Sequence, residues 1–155
     1  MSIANLWSPD NWLGILLRLC LAMFVGGIIG WERQLRNKPA GLRTHMLVSM
    51  GSALFVLMPL AMGKNENGGD AVARVIQGIA AGIGFLGGGE ILLQHQQERG
   101  KPEVHGLTSA AAIWVSAALG TAAGCGLWQM ALIGAFMSLF VLRVIKELER
   151  RSRRK

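Results

Sequence analysis

The stretch AAGIGFLGGGE, residues 80–90, contains Gly82-x-Gly84-x-x-Gly87, the glycine spacing of a dinucleotide-binding turn. That reading needs a strand before the glycines, an amphipathic helix opening at them and an acidic residue about 20 positions on to hold a ribose. Glu103 lies near that offset, but the flanks do not fit. Residues 75–89 carry no charge, and the apolar sequence continues to Leu93 apart from Glu90. A run of about 20 mostly apolar residues is long enough to cross a bilayer. The glycines are read as part of a membrane helix, and the rest of the chain is read outward from there.

Of the 155 residues, 52% are hydrophobic and only 16% charged, against about 25% charged in soluble domains. Five apolar runs stand out, at 12–30, 45–62, 72–93, 107–123 and 127–142. They predict an all-α integral membrane protein of five transmembrane helices. Residues 1–11 contain no Lys or Arg, so the first run lacks the charged leader of a secretory signal and reads as a retained helix.

Basic residues set the expected orientation. Residues 31–44 carry Arg33, Arg36, Lys38 and Arg43, whereas 63–71 carry Lys64 alone beside Glu66 and Asp70. Arg99 and Lys101 follow in 94–106, none falls at 124–126, and seven lie between Arg143 and Lys155. This alternation puts residues 1–11 in the periplasm and 143–155 in the cytoplasm as a basic tail. Trp7, Trp12, Trp31 and Trp128 fall at segment ends, as an aromatic belt requires. Beside a long apolar helix, such a tail suits anionic lipid at the cytoplasmic face better than nucleic acid. Cys20 and Cys125 have no metal-ligand spacing, and no nucleophile–base pair is visible. Neither a cofactor, a metal site nor enzymatic chemistry is expected.

Helices in lipid associate through small residues, because apolar burial offers no advantage there. Four-residue intervals join Gly78 to Gly82, Gly84 to Gly88, Ala22 to Gly26 and Gly30, and Ser116 to Gly120 and Gly124, with Gly87 and Gly89 completing the central cluster. These stripes predict a compact bundle or a homo-oligomer. The sharper alternative is a third helix that bends around a substrate.

Ionisable residues inside spans are costly and mark candidate functional positions. Arg18 and Arg74 belong to the outer half, while Glu32, Arg33, Arg43, His45, Glu90 and His105 gather at the cytoplasmic boundary. Helix N-termini near Thr44 and Thr108 bring free N–H groups that favour an anion, a role open to Glu90 paired with Arg43 or Arg33, or to a lipid phosphate. The three histidines fall at helix or loop ends and read as interfacial. Magnesium prefers hard carboxylate and water oxygens, and Glu90 is the only carboxylate well within an apolar run. A monomer is therefore a poor cation channel.

Three motifs in order carry a family resemblance: GWERQLRNKPAGLRTH (30–45), GIGFLGGGEI (82–91) and GLTSAAAIWVSAALG (106–120). They resemble the membrane domain of the MgtC/SapB family, in its short form. The family pattern falls on Glu32, Arg33, Arg43, Thr44, Arg74, Gly82, Gly84, Gly87, Gly89, Thr108 and Gly120. Asp70 stands four rather than three positions before Arg74, Gly78 replaces a usual glutamine, and Glu90 stands where the family has an apolar or neutral residue. The resemblance implies an inner-membrane protein of magnesium homeostasis from a virulence-associated family. Its implied mode of action is interaction within the membrane, with another membrane protein such as the F-type ATP synthase as partner. The alternative is a transporter or channel for magnesium or another small solute.

Overall fold

The structure is a computed structural model that describes residues 11–62, 68–97 and 106–145, with backbone alone at 68 and 93–97. The expectations for residues 1–10, Lys64, Glu66, Arg99, Lys101, Glu103, His105 and the tail from residue 146 lie outside the described residues. Among the described residues all regular structure is helical: α1 (Trp12–Leu35), α2 (Leu42–Met62), α3 (Gly68–Gln97), α4 (Leu107–Gly124) and α5 (Trp128–Phe140). A five-residue π-helical turn, Val141–Ile145, prolongs α5. All five helices are long and apolar enough to cross a membrane, the last when counted through Ile145. The protein is an all-helical, multi-pass membrane bundle.

Local chemistry explains the ends. The Asn11 side chain accepts from the Leu13 amide at 3.2 Å and caps α1. After α1 the chain reverses through Asn37 at φ 52°, a left-handed conformation that Asn tolerates better than most residues. The Lys38 amide there bonds to the Arg33 carbonyl at 3.1 Å. Gln34 Oε1 then accepts from the Leu42 amide at 3.2 Å, so the end of α1 caps the start of α2. α2 accordingly begins three residues earlier than the apolar run at 45–62 suggests.

α4 occupies the centre and touches the other four helices. Its 18 residues are 56% buried, against 17% in the most apolar stretch of α3 and 11% in that of α5. The close contacts are made by glycine. A Cβ at Gly120 would overlap the Ser49 carbonyl, and one at Gly124 would come within 2.8 Å of Ala53 Cα. A Cβ at Gly26 would lie 2.7 Å from Ser49 Cβ, and one at Gly30 2.7 Å from Leu42 Cα. Glycine thus lets α1, α2 and α4 approach backbone to backbone.

α3 is held differently. Gly87 faces Ala110, with 3.3 Å between a built Cβ and the alanine methyl, but Gly78, Gly82, Gly84, Gly88 and Gly89 meet nothing within 4 Å. Their spacing puts small residues on shared faces, yet nothing packs on them: Gly78 and Gly82 open onto a groove, and Gly84 and Gly88 are exposed. An apolar groove of about 630 Å³ separates α2 from α3, lined by residues including Leu47, Phe55, Gly78, Gly82 and Leu86.

Candidate functional site

The inner face of α1 ends in two adjacent charged residues, Glu32 and Arg33, each only 3% exposed. Glu32 is one helical turn before Arg36, whose Nε donates to Glu32 Oε1. From the far end of the chain, Arg143 Nε donates to Glu32 Oε2 at 2.6 Å. Arg143 reaches it from the π-helical turn, so the fifth span continues past residue 142, where the basic tail was expected to begin. Both carboxylate oxygens are therefore committed.

Arg33 points toward α4, and its Nη2 donates to Ser109 Oγ. The charge of Glu90 on α3 also acts on it. Beside Arg33, His45 is fully buried, and its Nδ1 shares a 2.8 Å hydrogen bond with Ser116 Oγ. His45, expected at the cytoplasmic boundary, is enclosed by protein: α2 begins at Leu42 and carries His45 into the α1–α4 contact. Ser49, also fully buried, and Ser52 continue the polar face of α2, with Ser52 Oγ donating to the Val48 carbonyl at 2.9 Å. The result is a polar seam through the centre of the bundle at its basic end. It brings together Arg33, Arg36 and Arg143 against Glu32, with Glu90 nearby. Charges buried in a membrane bundle are kept where they meet an opposite charge or a hydrogen-bond partner.

A second polar contact lies at the opposite end. Arg18, 6% exposed, donates from Nη1 to the Gly124 carbonyl at 2.7 Å, which caps the C-terminus of α4. Gly126 has φ +80°, a conformation that favours glycine, and a Cβ there would lie 2.9 Å from Arg18 Nη2.

The seam takes in Glu32 and Arg33 among the residues singled out from sequence, with Glu90 as an electrostatic neighbour. Arg43 and Thr44, in the first turn of α2, are exposed, because the inward positions of that helix belong to His45 and Ser49. Thr108 is exposed for the same reason, with Ser109 pointing inward. Arg74 is exposed on α3, away from the seam. Sequence reasoning missed Arg36 and Arg143 as partners of Glu32, and Ser109 and Ser116 as partners of Arg33 and His45. A signal existed in the helical spacing of His45, Ser49 and Ser52 and of Ser109 and Ser116, which marks one polar face on each helix. Among the described residues, no three His, Cys, Asp or Glu side chains converge on one point.

Fold and seam together define a class: a small membrane bundle closed by glycine contacts, with a charge-paired polar interior at one end. Within that class the chain belongs to the MgtC family, whose family model matches residues 19–151. It is 51% identical over 144 residues to protein SrpB of Synechococcus elongatus, covering 90% of this chain and 79% of SrpB. It is 41% identical over 138 residues to YhiD of Escherichia coli K12, a protein named provisionally as a magnesium transporter, covering 86% of this chain and 61% of YhiD. Protein MgtC of Salmonella typhimurium LT2 is 37% identical over 136 residues, covering 88% of this chain and 54% of that one. The chain thus spans little more than half the length of that MgtC. No solved structure matches it significantly.

Proposed function

We propose that the protein serves magnesium homeostasis in the bacterial inner membrane by contact with other membrane proteins rather than by carrying the ion. The link to magnesium comes from family membership and from the name of the relative YhiD. The preference for contact over carriage rests on one observation: both oxygens of Glu32, the carboxylate buried in the seam, are occupied by guanidinium groups. A magnesium path needs carboxylate or carbonyl oxygens free to replace water around the ion. The seam offers Glu32 and Glu90 among three arginines, and that surplus of positive charge repels a divalent cation.

The test is magnesium flux into proteoliposomes, read by an internal dye under imposed ion gradients and membrane potentials. The expected result is flux no greater than in empty vesicles, for the native chain and for Glu90→Gln alike. Flux that Glu90→Gln or Glu32→Gln abolishes, with the protein still folded, would establish transport instead. The bilayer is the other partner, and its anionic lipids are proposed to meet Arg43 and Lys38 at the cytoplasmic face. Retention on anionic vesicles should then fall as salt rises.

A further inference from the structure

We propose that the outward face of α3 is the contact through which two copies of this chain associate side by side. α3 turns Val75, Ile79, Ile83 and Gly87 toward the bundle. On its far side Asp70, Arg74, Gln77, Ala81, Gly84 and Gly88 are all exposed. Their intervals of four and three residues keep them on one seam of the helix, the spacing of two helices crossing at a shallow angle.

The face is unlike a surface made for lipid. α5 shows what such a surface looks like here, with Ile133, Phe136, Met137 and Phe140 exposed. The α3 seam instead presents a carboxylate, a guanidinium, an amide and bare backbone, with Phe85 and Leu92 exposed along its border. Among the described residues neither Asp70 nor Arg74 makes an ion pair. Charged groups at the outer end of a span are better satisfied when another helix pairs with them.

Charge identifies the occupant. Copies inserted with one topology associate about a two-fold axis along the membrane normal, so the same patch meets itself. Across such an axis each residue faces its own copy at equal depth, and Arg74, one turn deeper, reaches back to Asp70 of the other chain, in two reciprocal pairs. Deeper along the seam, Ala81, Gly84 and Gly88 carry no bulk, so the two backbones close on each other. This inference is independent of how the protein handles magnesium.

The experiment is oxidative crosslinking in native membranes of Ala81→Cys, placed in the full chain with Cys20→Ala and Cys125→Ala. A crosslinked dimer is expected, while Phe136→Cys on α5 stays monomeric. Asp70→Arg makes the pair uniformly positive and Arg74→Asp makes it uniformly negative. Each variant expressed alone should lose most of the crosslink. Two differently tagged chains, one of each kind, should recover it when expressed together, which also shows that both fold. A monomeric Ala81→Cys, equal crosslinking through Phe136→Cys, or charge variants that crosslink undiminished would each overturn the proposal.

Discussion

Glu32 receives one guanidinium from the residue that ends its own helix and another from a residue 111 positions away, and the two are not equivalent. Arg36 and Arg143 have side chains 33% and 51% exposed, whereas that of Glu32 is 4% exposed. Either arginine can turn outward if its partner is lost, but the carboxylate cannot. Glu32→Gln removes the negative charge and sets an amide NH2 against one of the two guanidinium groups, and should cost about 2–3 kcal/mol, read as a lower unfolding midpoint in detergent. Arg143→Ala leaves Arg36 in place and should cost about 1 kcal/mol or less in the same assay. At the opposite end, Arg18→Leu strips the α4 terminus of its donor and should cost about 1–3 kcal/mol. The pairing of Glu32 with Arg36 is legible in sequence as an i, i+4 contact. That with Arg143 is not, because it depends on where α5 is placed against α1 and on the π-helical turn that carries the arginine. The same limit explains why Glu90 looked like the principal carboxylate. Apolar flanks are visible in sequence, but a neighbouring helix is not.

Among the elements, glycine has two opposite roles here, and spacing alone does not separate them. Gly120 and Gly78 each belong to a four-residue stripe, yet one lies against the Ser49 carbonyl and the other faces an open groove. Gly120→Ala should push α2 from α4 and cost about 1–3 kcal/mol, as overpacking does elsewhere. Gly78→Ala fills no occupied space and should be neutral or stabilising by up to about 1 kcal/mol, since alanine favours the helix. Parallel unfolding curves would separate the two, and equal losses would contradict the packing described for α3. A period tells which residues share a face, whereas the choice between bundle and lipid is made by the helix that docks there.

For the molecule as a whole, hydropathy made the five spans legible, because nothing but a membrane helix tolerates such runs. The order of packing was not legible. That α4 lies at the centre follows from its small buried residues, Ala112, Ala117, Gly120 and Ala123, which admit several neighbours at once. The orientation proposed from the basic residues has a direct test. A cysteine introduced next to Asn37 should react with an impermeant maleimide only after the membrane is opened, and one beside Leu127 should react in intact cells. The helices also differ in length. α4, with 18 residues, rises about 27 Å, while the apolar span of α3, Gly69–Leu92 with 24, rises about 36 Å, and an average hydrocarbon core is about 30 Å thick. The three helices locked by glycine cannot easily change their tilt, but α3, lightly held and overlong, can. A thicker or thinner bilayer therefore acts mainly on α3 and on the copy proposed to pack along it, whose lean follows the lipids while the seam at the centre of the bundle stays unchanged.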